Sequence, residues 1–399
     1  MDMRQRQRAW GLLNVKLLVV SHACVTAVNQ AFFADVARLA NWTVDIAVPA
    51  SWDSEWKKGA QPSRWSTFDG KLIRIPVWKS GSVPLHVYRQ MFLRLLRAEK
   101  PDAIYVHHEP YGLATAQLYL ANRVTGRVPI GFYAAQNILK NYPPPFRWLE
   151  HYVLRHSDFS FPVTDGALEV LRTKGYTGNA EVLPLALDQN VYSPRVEWAK
   201  AKRRELGIPS EGFCFGYLGR FVEEKGLLSF LKAAASLRDL SWNCLLVGNG
   251  PQEAELRAAV ASLRLEKHIL FHGYVPHQEV AGWLTLFDAL VLPSETRPNW
   301  KEQFGRVIVE ANACETPVIG TDSGEIRRVV ESTGGGVMVP EADPASLAAA
   351  MRAWVLEPHR ARELALVGAA AARTLFDQER LARRFIAAIE SSLPSGARA

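Results

Sequence analysis

Hydrophobic positions along the 399-residue chain form short apolar runs separated by stretches with helical spacing. That alternation is the signature of parallel α/β layers. The runs Lys16–Val20, Val44–Val48, Leu72–Ile75, Ala103–Val106, Ile130–Tyr133, Phe159–Pro162 and Glu181–Pro184 predict one set of strands. A second set is predicted at Phe213–Leu218, Asn243–Val247, His268–Phe271, Ala289–Leu292, Pro317–Ile319 and Gly336–Val339. Two successive sets imply two doubly wound domains. Leu185–Pro194 reads as the linker, because Asp188, Asn190 and Pro194 break any regular pattern there. Residues 345–392 are rich in Ala, Leu and Arg at helical spacing, so the chain closes with helices.

Composition changes this picture little: 48% hydrophobic and 22% charged residues are ordinary globular usage, which excludes a disordered tail or a fibre. Charge changes it more. The net charge is +7, and residues 1–190 hold 22 Lys/Arg against 15 Asp/Glu, whereas the remainder holds 25 of each. All the positive excess therefore lies in the first half, which admits a nucleic acid, an anionic membrane or an anionic substrate as its partner. Cys24, Cys214, Cys244 and Cys314 share no metal-ligand spacing and read as reduced thiols, so a cytoplasmic protein is expected. Arg4, Arg6 and Arg8 before an apolar stretch imitate a signal peptide, but Asn14 and Lys16 interrupt that stretch, and a first buried strand fits better. No apolar run reaches the roughly 18 residues needed to span a bilayer.

Ligands of open parallel sheets bind beyond the carboxyl ends of the strands. Two such sheets placed face to face would make one cleft, so the chemistry is expected in the loops that follow strands. Gly248-Asn-Gly250 follows a strand but lacks the third glycine of a dinucleotide fingerprint, and it reads as a tight strand-to-helix turn. No GxxxxGK[ST], GxSxG, HExxH or DxD motif occurs. Hydride transfer, serine hydrolysis and zinc proteolysis lose ground accordingly.

The most informative segment is Pro293-Ser-Glu-Thr-Arg-Pro-Asn-Trp-Lys-Glu302-Gln-Phe304-Gly305-Arg306-Val-Ile-Val-Glu310. It opens at the end of a strand, and Phe304–Ala313 is predicted as a helix. A helix N-terminus presents unpaired N–H groups and partial positive charge, which suits a diphosphate, and Gly305 would let the phosphate approach the backbone. Glu302 and Glu310 lie on either side of that point and could take hydroxyls at opposite ends of one ligand. Alternatively, Glu302 only favours the helix dipole and Glu310 is a solvated helix residue. A second segment, Gly219-Arg220-Phe-Val-Glu-Glu-Lys225-Gly226, offers two cations that can clamp a diphosphate, Arg220 by a fork and Lys225 as a point charge. Its alternative is a surface loop in which Glu223 and Glu224 pair with those bases. In the basic half, His107-His108-Glu109-Pro110 follows a strand, and one histidine should face the ligand while the other is a satisfied core residue.

These residues resemble glycosyltransferase family 4, the retaining, metal-independent enzymes of GT-B fold. Glu302 and Glu310 with Phe304-Gly305 and Pro317-Val-Ile match its double-glutamate motif, and Gly219-Arg220…Lys225-Gly226 matches its diphosphate clamp. His108-Glu109-Pro110 is similar to its sugar-contacting histidine, and Leu183-Pro184…Asp188…Tyr192…Pro194 to its linker. The resemblance implies two Rossmann-like domains: residues 1–188 for the acceptor, 189–375 for the donor, and 376–399 as a helix crossing back to the first. It implies that Arg220, Lys225 and the backbone near Gly305 and Arg306 hold a nucleotide sugar's diphosphate. Glu310 would then take the ribose, Glu302 and His108 the transferred sugar, and Gly219, Tyr274, Val275 and Phe304 would line the donor site. No cofactor and no metal are expected. The implied partners are a nucleotide sugar and a glycan or lipid-linked acceptor, at the inner face of the membrane and in envelope polysaccharide synthesis. The resemblance has two departures: Ser21-His22-Ala23-Cys24 lacks a glycine pair, and Glu315 replaces a glycine.

The segment Arg89–Lys100 bears on the membrane question. It sets Met91, Phe92, Leu95 and Leu96 on one helical face, flanked by Arg89, Arg94, Arg97 and Lys100. Such a helix either lies on an anionic membrane or packs its apolar face on a sheet. Nucleic-acid binding is not expected, because the basic residues are scattered along the sequence. The rival functions are a nucleotide-sugar epimerase, an α-glucan synthase of the same fold, and an inactive partner subunit.

Overall fold

The computed structural model describes residues 15–53, 58–89, 92–209 and 212–394. Arg4, Arg6, Arg8, Asn14 and Met91 lie outside the described residues. The chain divides into two compact units, Met1–Ala186 with Gln378–Ala399, and Leu187–Asp377. Each is an open sheet with helices on its faces.

In the first unit the strands are β1 (Lys16–Val20), β2 (Thr43–Pro49), β3 (Leu72–Ile75), β6 (Ala103–Val106), β7 (Ile130–Ala134), β8 (Phe159–Pro162) and β9 (Asn179–Ala180), all parallel, in the order β3-β2-β1-β6-β7-β8-β9. A small antiparallel pair, β4 (Val77–Trp78) with β5 (Val87–Tyr88), lies between β3 and β6 in the chain. The helices are α1 (Ala31–Ala40), α2 (Phe92–Glu99), α3 (Leu113–Val124), α4 (Phe146–Arg155) and α5 (Asp165–Thr173). Successive strand residues face opposite sides. Leu17 and Val19 join one core with Phe33 and Phe385, while Leu18 and Val20 join another with Phe92, Leu118 and Leu154. Burial on both faces explains why the strands read as unbroken apolar runs.

The second unit contains β10 (Phe213–Leu218), β11 (Trp242–Val247), β12 (Ile269–His272), β13 (Ala289–Leu292), β14 (Val318–Thr321) and β15 (Gly336–Val339), parallel in the order β12-β11-β10-β13-β14-β15. Its helices are α6 (Val196–Glu205), α7 (Leu227–Ala234), α8 (Glu253–Ser262), α9 (Val280–Leu286), α10 (Arg306–Ala313), α11 (Ile326–Thr333), α12 (Pro344–Leu356) and α13 (Pro358–Leu375). The last helix, α14 (Gln378–Ser392), belongs to the first unit and packs on α1.

Each chain run begins at a central strand, builds to one edge, then returns to the other side of its start. The order therefore reverses between β1 and β6, and again between β10 and β13. Such switch points are where open α/β sheets bind ligands.

The expected strand Glu181–Pro184 does not form. The Glu181 and Leu183 amides still reach the Ser160 and Pro162 carbonyls, at 3.1 and 2.8 Å, but Pro162 has no N–H to return to the Glu181 carbonyl, and the ladder stops at Ala180. The Val182 carbonyl, on the open edge, accepts from the Arg384 guanidinium at 2.7 Å. The apolar face of α2 packs inward, with Phe92, Leu95 and Leu96 all buried in the second core of the first unit. That face is therefore not presented to a membrane. The Gly248–Gly250 turn packs directly on the neighbouring loop, where a Cβ at Gly248 would stand 1.9 Å from the Gly219 carbonyl oxygen.

Phe385 of α14 is fully buried against Phe32, Phe33, Tyr105 and Phe161. Phe385→Ala is expected to destabilise the first unit by about 3–5 kcal/mol. Denaturant unfolding followed by the near-ultraviolet signal checks this, and an unchanged transition would contradict the packing described.

Candidate functional site

In the second unit, two loops leave the switch point side by side. The first follows β10 and runs from Gly219 to Gly226; the second follows β13 and leads into α10. They are locked together at Gly226, whose φ is +63° and where a Cβ would lie 1.9 Å from the Pro293 carbonyl oxygen. Only glycine fits that close approach. Between the loops, Lys225 Nζ donates to Glu302 Oε2 at 2.6 Å and lies 4.9 Å from the centre of the Trp300 ring. Ser294 Oγ donates to the same carboxylate oxygen at 3.2 Å. Both charged side chains are largely buried, at 18% and 12% exposure. A buried ion pair of this geometry avoids the cost of an isolated buried charge.

The two alternatives for these residues can now be separated. Lys225 does not pair with Glu223 or Glu224 but with the distant Glu302, while Arg220 stands 3.9 Å from Glu224, with its side chain 41% exposed. Glu310 is not a solvated helix residue. It is 7% exposed, pairs with Arg306 Nε at 2.8 Å, and hydrogen bonds the buried Tyr192. The Tyr192 hydroxyl also lies 3.2 Å from His277 Nε2. Glu310, Arg306, Tyr192 and His277 thus form one polar network around the start of α10. Gly305 caps that helix at φ +76°, and Phe304 is buried edge-on against Phe376. Tyr274 is 57% exposed and Val275 is buried, both in the loop after β12.

Sequence reasoning did not single out Ser294, Glu295, Trp300 or His277. Glu295 is buried and pairs with Arg297 at 2.9 Å, so the loop after β13 carries two buried carboxylates, each with its own cation. A polar run directly after an all-apolar strand was the available signal for Ser294 and Glu295. His277 had none.

In the first unit, the loops after β1 and β6 place His22, His107, His108 and Glu109 at the other switch point. His108 is buried and its Nε2 accepts the His22 backbone amide at 3.0 Å. Neutral His108 therefore carries its proton on Nδ1, a buried atom with no partner. His86 has the opposite arrangement: Nδ1 lies 3.0 Å from the Ser82 and Val83 carbonyls and donates to them, leaving an unpartnered, buried Nε2 lone pair. Trp52 packs on His22 and His86. Among the described residues, His22, His86 and His108 are the group that could hold a metal ion, their ligand atoms lying within 4.8 Å of one another. With these tautomers they offer a donor beside acceptors, which matches a hydroxyl group. His107 fills the core role, its Nδ1 3.1 Å from Ser21 Oγ.

Burial depresses all four imidazoles: His22 falls to about 3, helped by the neighbouring His86 and His107, and His107 to about 4. His86 and His108 move the same way for the same reason. Burial raises the Glu109 carboxyl to about 7, although one oxygen accepts the Ala135 amide at 2.8 Å. A buried neutral polar cluster is the result.

Residues 199–369 match the family described as Glycosyl transferases group 1. Among similar proteins, α-D-kanosaminyltransferase of Streptomyces kanamyceticus is 24% identical over 314 residues, covering 75% of this chain and 79% of that protein. 2-Deoxystreptamine N-acetyl-D-glucosaminyltransferase of Streptomyces fradiae is 29% identical over 286 residues, covering 67% and 66%. Among solved structures, sucrose-phosphate synthase of Thermosynechococcus elongatus superposes with a TM-score of 0.74 at 19% identity, covering 94% and 98%. The Anabaena protein HepE in complex with UDP-glucose superposes at 0.70 and 19%, covering 95% and 100%. The fold is GT-B, and the family match and relatives together support glycosyl transfer as the general activity.

The depressed histidines set a pH dependence. His107 is neutral in the folded unit down to about pH 4, whereas an unfolded histidine titrates near 6.5. Its contribution is thus fully present above pH 6.5 and is lost as pH falls from there toward 4, to an extent of ~3 kcal/mol. His107→Gln should flatten the fall in unfolding midpoint across that window relative to wild type; parallel pH profiles would refute the assignment.

Proposed function

We propose that the protein is a retaining, metal-independent hexosyltransferase of glycosyltransferase family 4. It moves a hexose from a UDP- or GDP-linked donor to a glycan, lipid-linked or small-molecule acceptor in cell-envelope polysaccharide synthesis. The observation that carries this reading is the contact of Lys225 with Glu302 beside the start of α10. A group that binds a diphosphate and a group that binds sugar hydroxyls are held within one hydrogen bond. An ammonium has three N–H donors, so one on Glu302 leaves two for phosphate oxygens.

In this reading, Arg220, Lys225 and the first amides of α10 receive the diphosphate, with Gly219 and Phe304 shaping the loops around it. Glu310 takes the ribose while Tyr274 and Val275 flank the base. Glu302 and His108 contact the transferred sugar. The C1–O bond to the leaving phosphate breaks, the acceptor oxygen bonds to C1 from the same face, and the acceptor proton passes to the leaving phosphate oxygen. Charge accumulates on that oxygen as the bond breaks, and preorganised cations stabilise it more in the transition state than in the bound donor. Support for a uridine donor comes from HepE, whose structures hold UDP and UDP-glucose. The Streptomyces fradiae relative, named for 2-deoxystreptamine, supports a cyclitol acceptor.

Screening nucleotide sugars for thermal stabilisation and donor hydrolysis identifies the donor, and the anomeric proton signal of the product reports retention or inversion. Lys225→Ala and Glu302→Ala are each expected to lower kcat by about 10²–10³, equivalent to about 3–4 kcal/mol, with an unchanged circular dichroism spectrum. Full turnover by either variant would reject the assignment.

A further inference from the structure

The second core of the first unit is roofed by α2, α3 and α4, which pack side by side on one face of the sheet through Phe92, Leu95 and Leu96, Leu118 and Tyr119, and Val153 and Leu154. Their outward side has an unusual composition. Arg94 and Arg97 on α2, Lys100 just after it, Arg123 on α3, Arg127 just after it, and Arg147 and Arg155 on α4 are all exposed. Among the described residues of these three helices, no acidic side chain is exposed. Glu99 turns back to Lys16 and Lys71, at 2.7 Å from each, and Glu150 is buried against Lys174 at 2.7 Å. Beyond the helices, Asp102 accepts the Lys16 amide, and Asp158 lies 3.6 Å from Arg127. Residues far apart in the sequence thus form one basic face.

Apolar side chains stand among these cations. Leu120 is 50% exposed, Val124 66% and Trp148 64%. Between the ends of α2 and α3 a cavity of about 330 Å3 is lined by Arg97, Lys100 and Arg127 with Leu96, Asn122 and Thr125. We propose that the α2–α3–α4 face docks on an anionic lipid bilayer, with the cavity seating a phosphate-bearing headgroup and Leu120, Val124 and Trp148 entering the interfacial layer. Clustered Arg and Lys side chains are drawn to an anionic leaflet, and a tryptophan with aliphatic neighbours settles at the headgroup level. A nucleic acid fits less well, because exposed aliphatic tips between the cations make no use of a phosphodiester backbone. This differs from an amphipathic α2 lying in the membrane: α2 keeps its apolar side in the core, and the contact is made by the opposite side together with two other helices. The inference does not depend on glycosyl transfer, since the face lies on the first unit and its readout is binding.

The test is co-sedimentation of the full chain with vesicles of phosphatidylcholine alone and of phosphatidylcholine mixed with phosphatidylglycerol, at low and high salt. Binding is expected only to the mixed vesicles and should weaken with salt. Arg97→Glu, Arg123→Glu and Arg155→Glu combined should lower it by tenfold or more, and Trp148→Ser with Val124→Ser should weaken what remains at high salt. Arg360→Glu with Arg362→Glu, in the second unit, should leave it unchanged. Thermal unfolding of each variant establishes that it is folded. Equal binding to neutral vesicles, no binding at low salt, or an unaffected triple variant would overturn the proposal. So would tighter binding to duplex DNA that is lost in the same variant.

Discussion

Parallel strand pairing is the constraint on which the rest of this molecule depends. Apart from the small β4–β5 pair, the described strands hydrogen-bond to parallel neighbours. A parallel sheet must be covered on both faces. The covering helices bury most of the apolar side chains that the central strands offer, which leaves the strand ends as the places where polar side chains and open backbone collect. The two clusters of buried charge and imidazole lie there, at the points where strand order reverses.

The two clusters solve the problem of buried polarity differently. In the second unit each carboxylate is paired with a cation, Glu302 with Lys225 and Glu310 with Arg306. In the first unit the groups are held neutral, with imidazoles depressed and the Glu109 carboxyl raised. Fixed charges suit a ligand that is itself charged, and neutral donors and acceptors suit hydroxyl groups. The division suits a charged ligand on one unit and a neutral, hydroxyl-bearing one on the other.

Much of this was legible in the sequence, because apolar runs that must be buried on both faces are hard to mistake. Twelve of the thirteen predicted strands overlap observed ones, and the exception, Glu181–Pro184, fails because its neighbour Pro162 has no N–H to return to the ladder, a pairing that the two segments reveal only once they lie side by side. In the site, Lys225, Glu302 and Glu310 were visible as charged residues after apolar strands. Their partners were not: Lys225 and Glu302 are 77 residues apart, and nothing local announces that they meet. His86 reaches its cluster from the short β4–β5 excursion, for which no periodicity exists to read. The basic face is the same case, since scattered arginines become a surface only once three helices are laid side by side.

The route of the chain has a consequence for how the protein comes into being. Ala382, Phe385, Ile386, Ile389 and Leu393 complete a core whose other members all precede position 187. During synthesis that core stays open while the intervening 191 residues of the second unit emerge and fold. The first unit is therefore the last to close, and a chain cut short within α14 carries a finished second unit beside an exposed, aggregation-prone sheet.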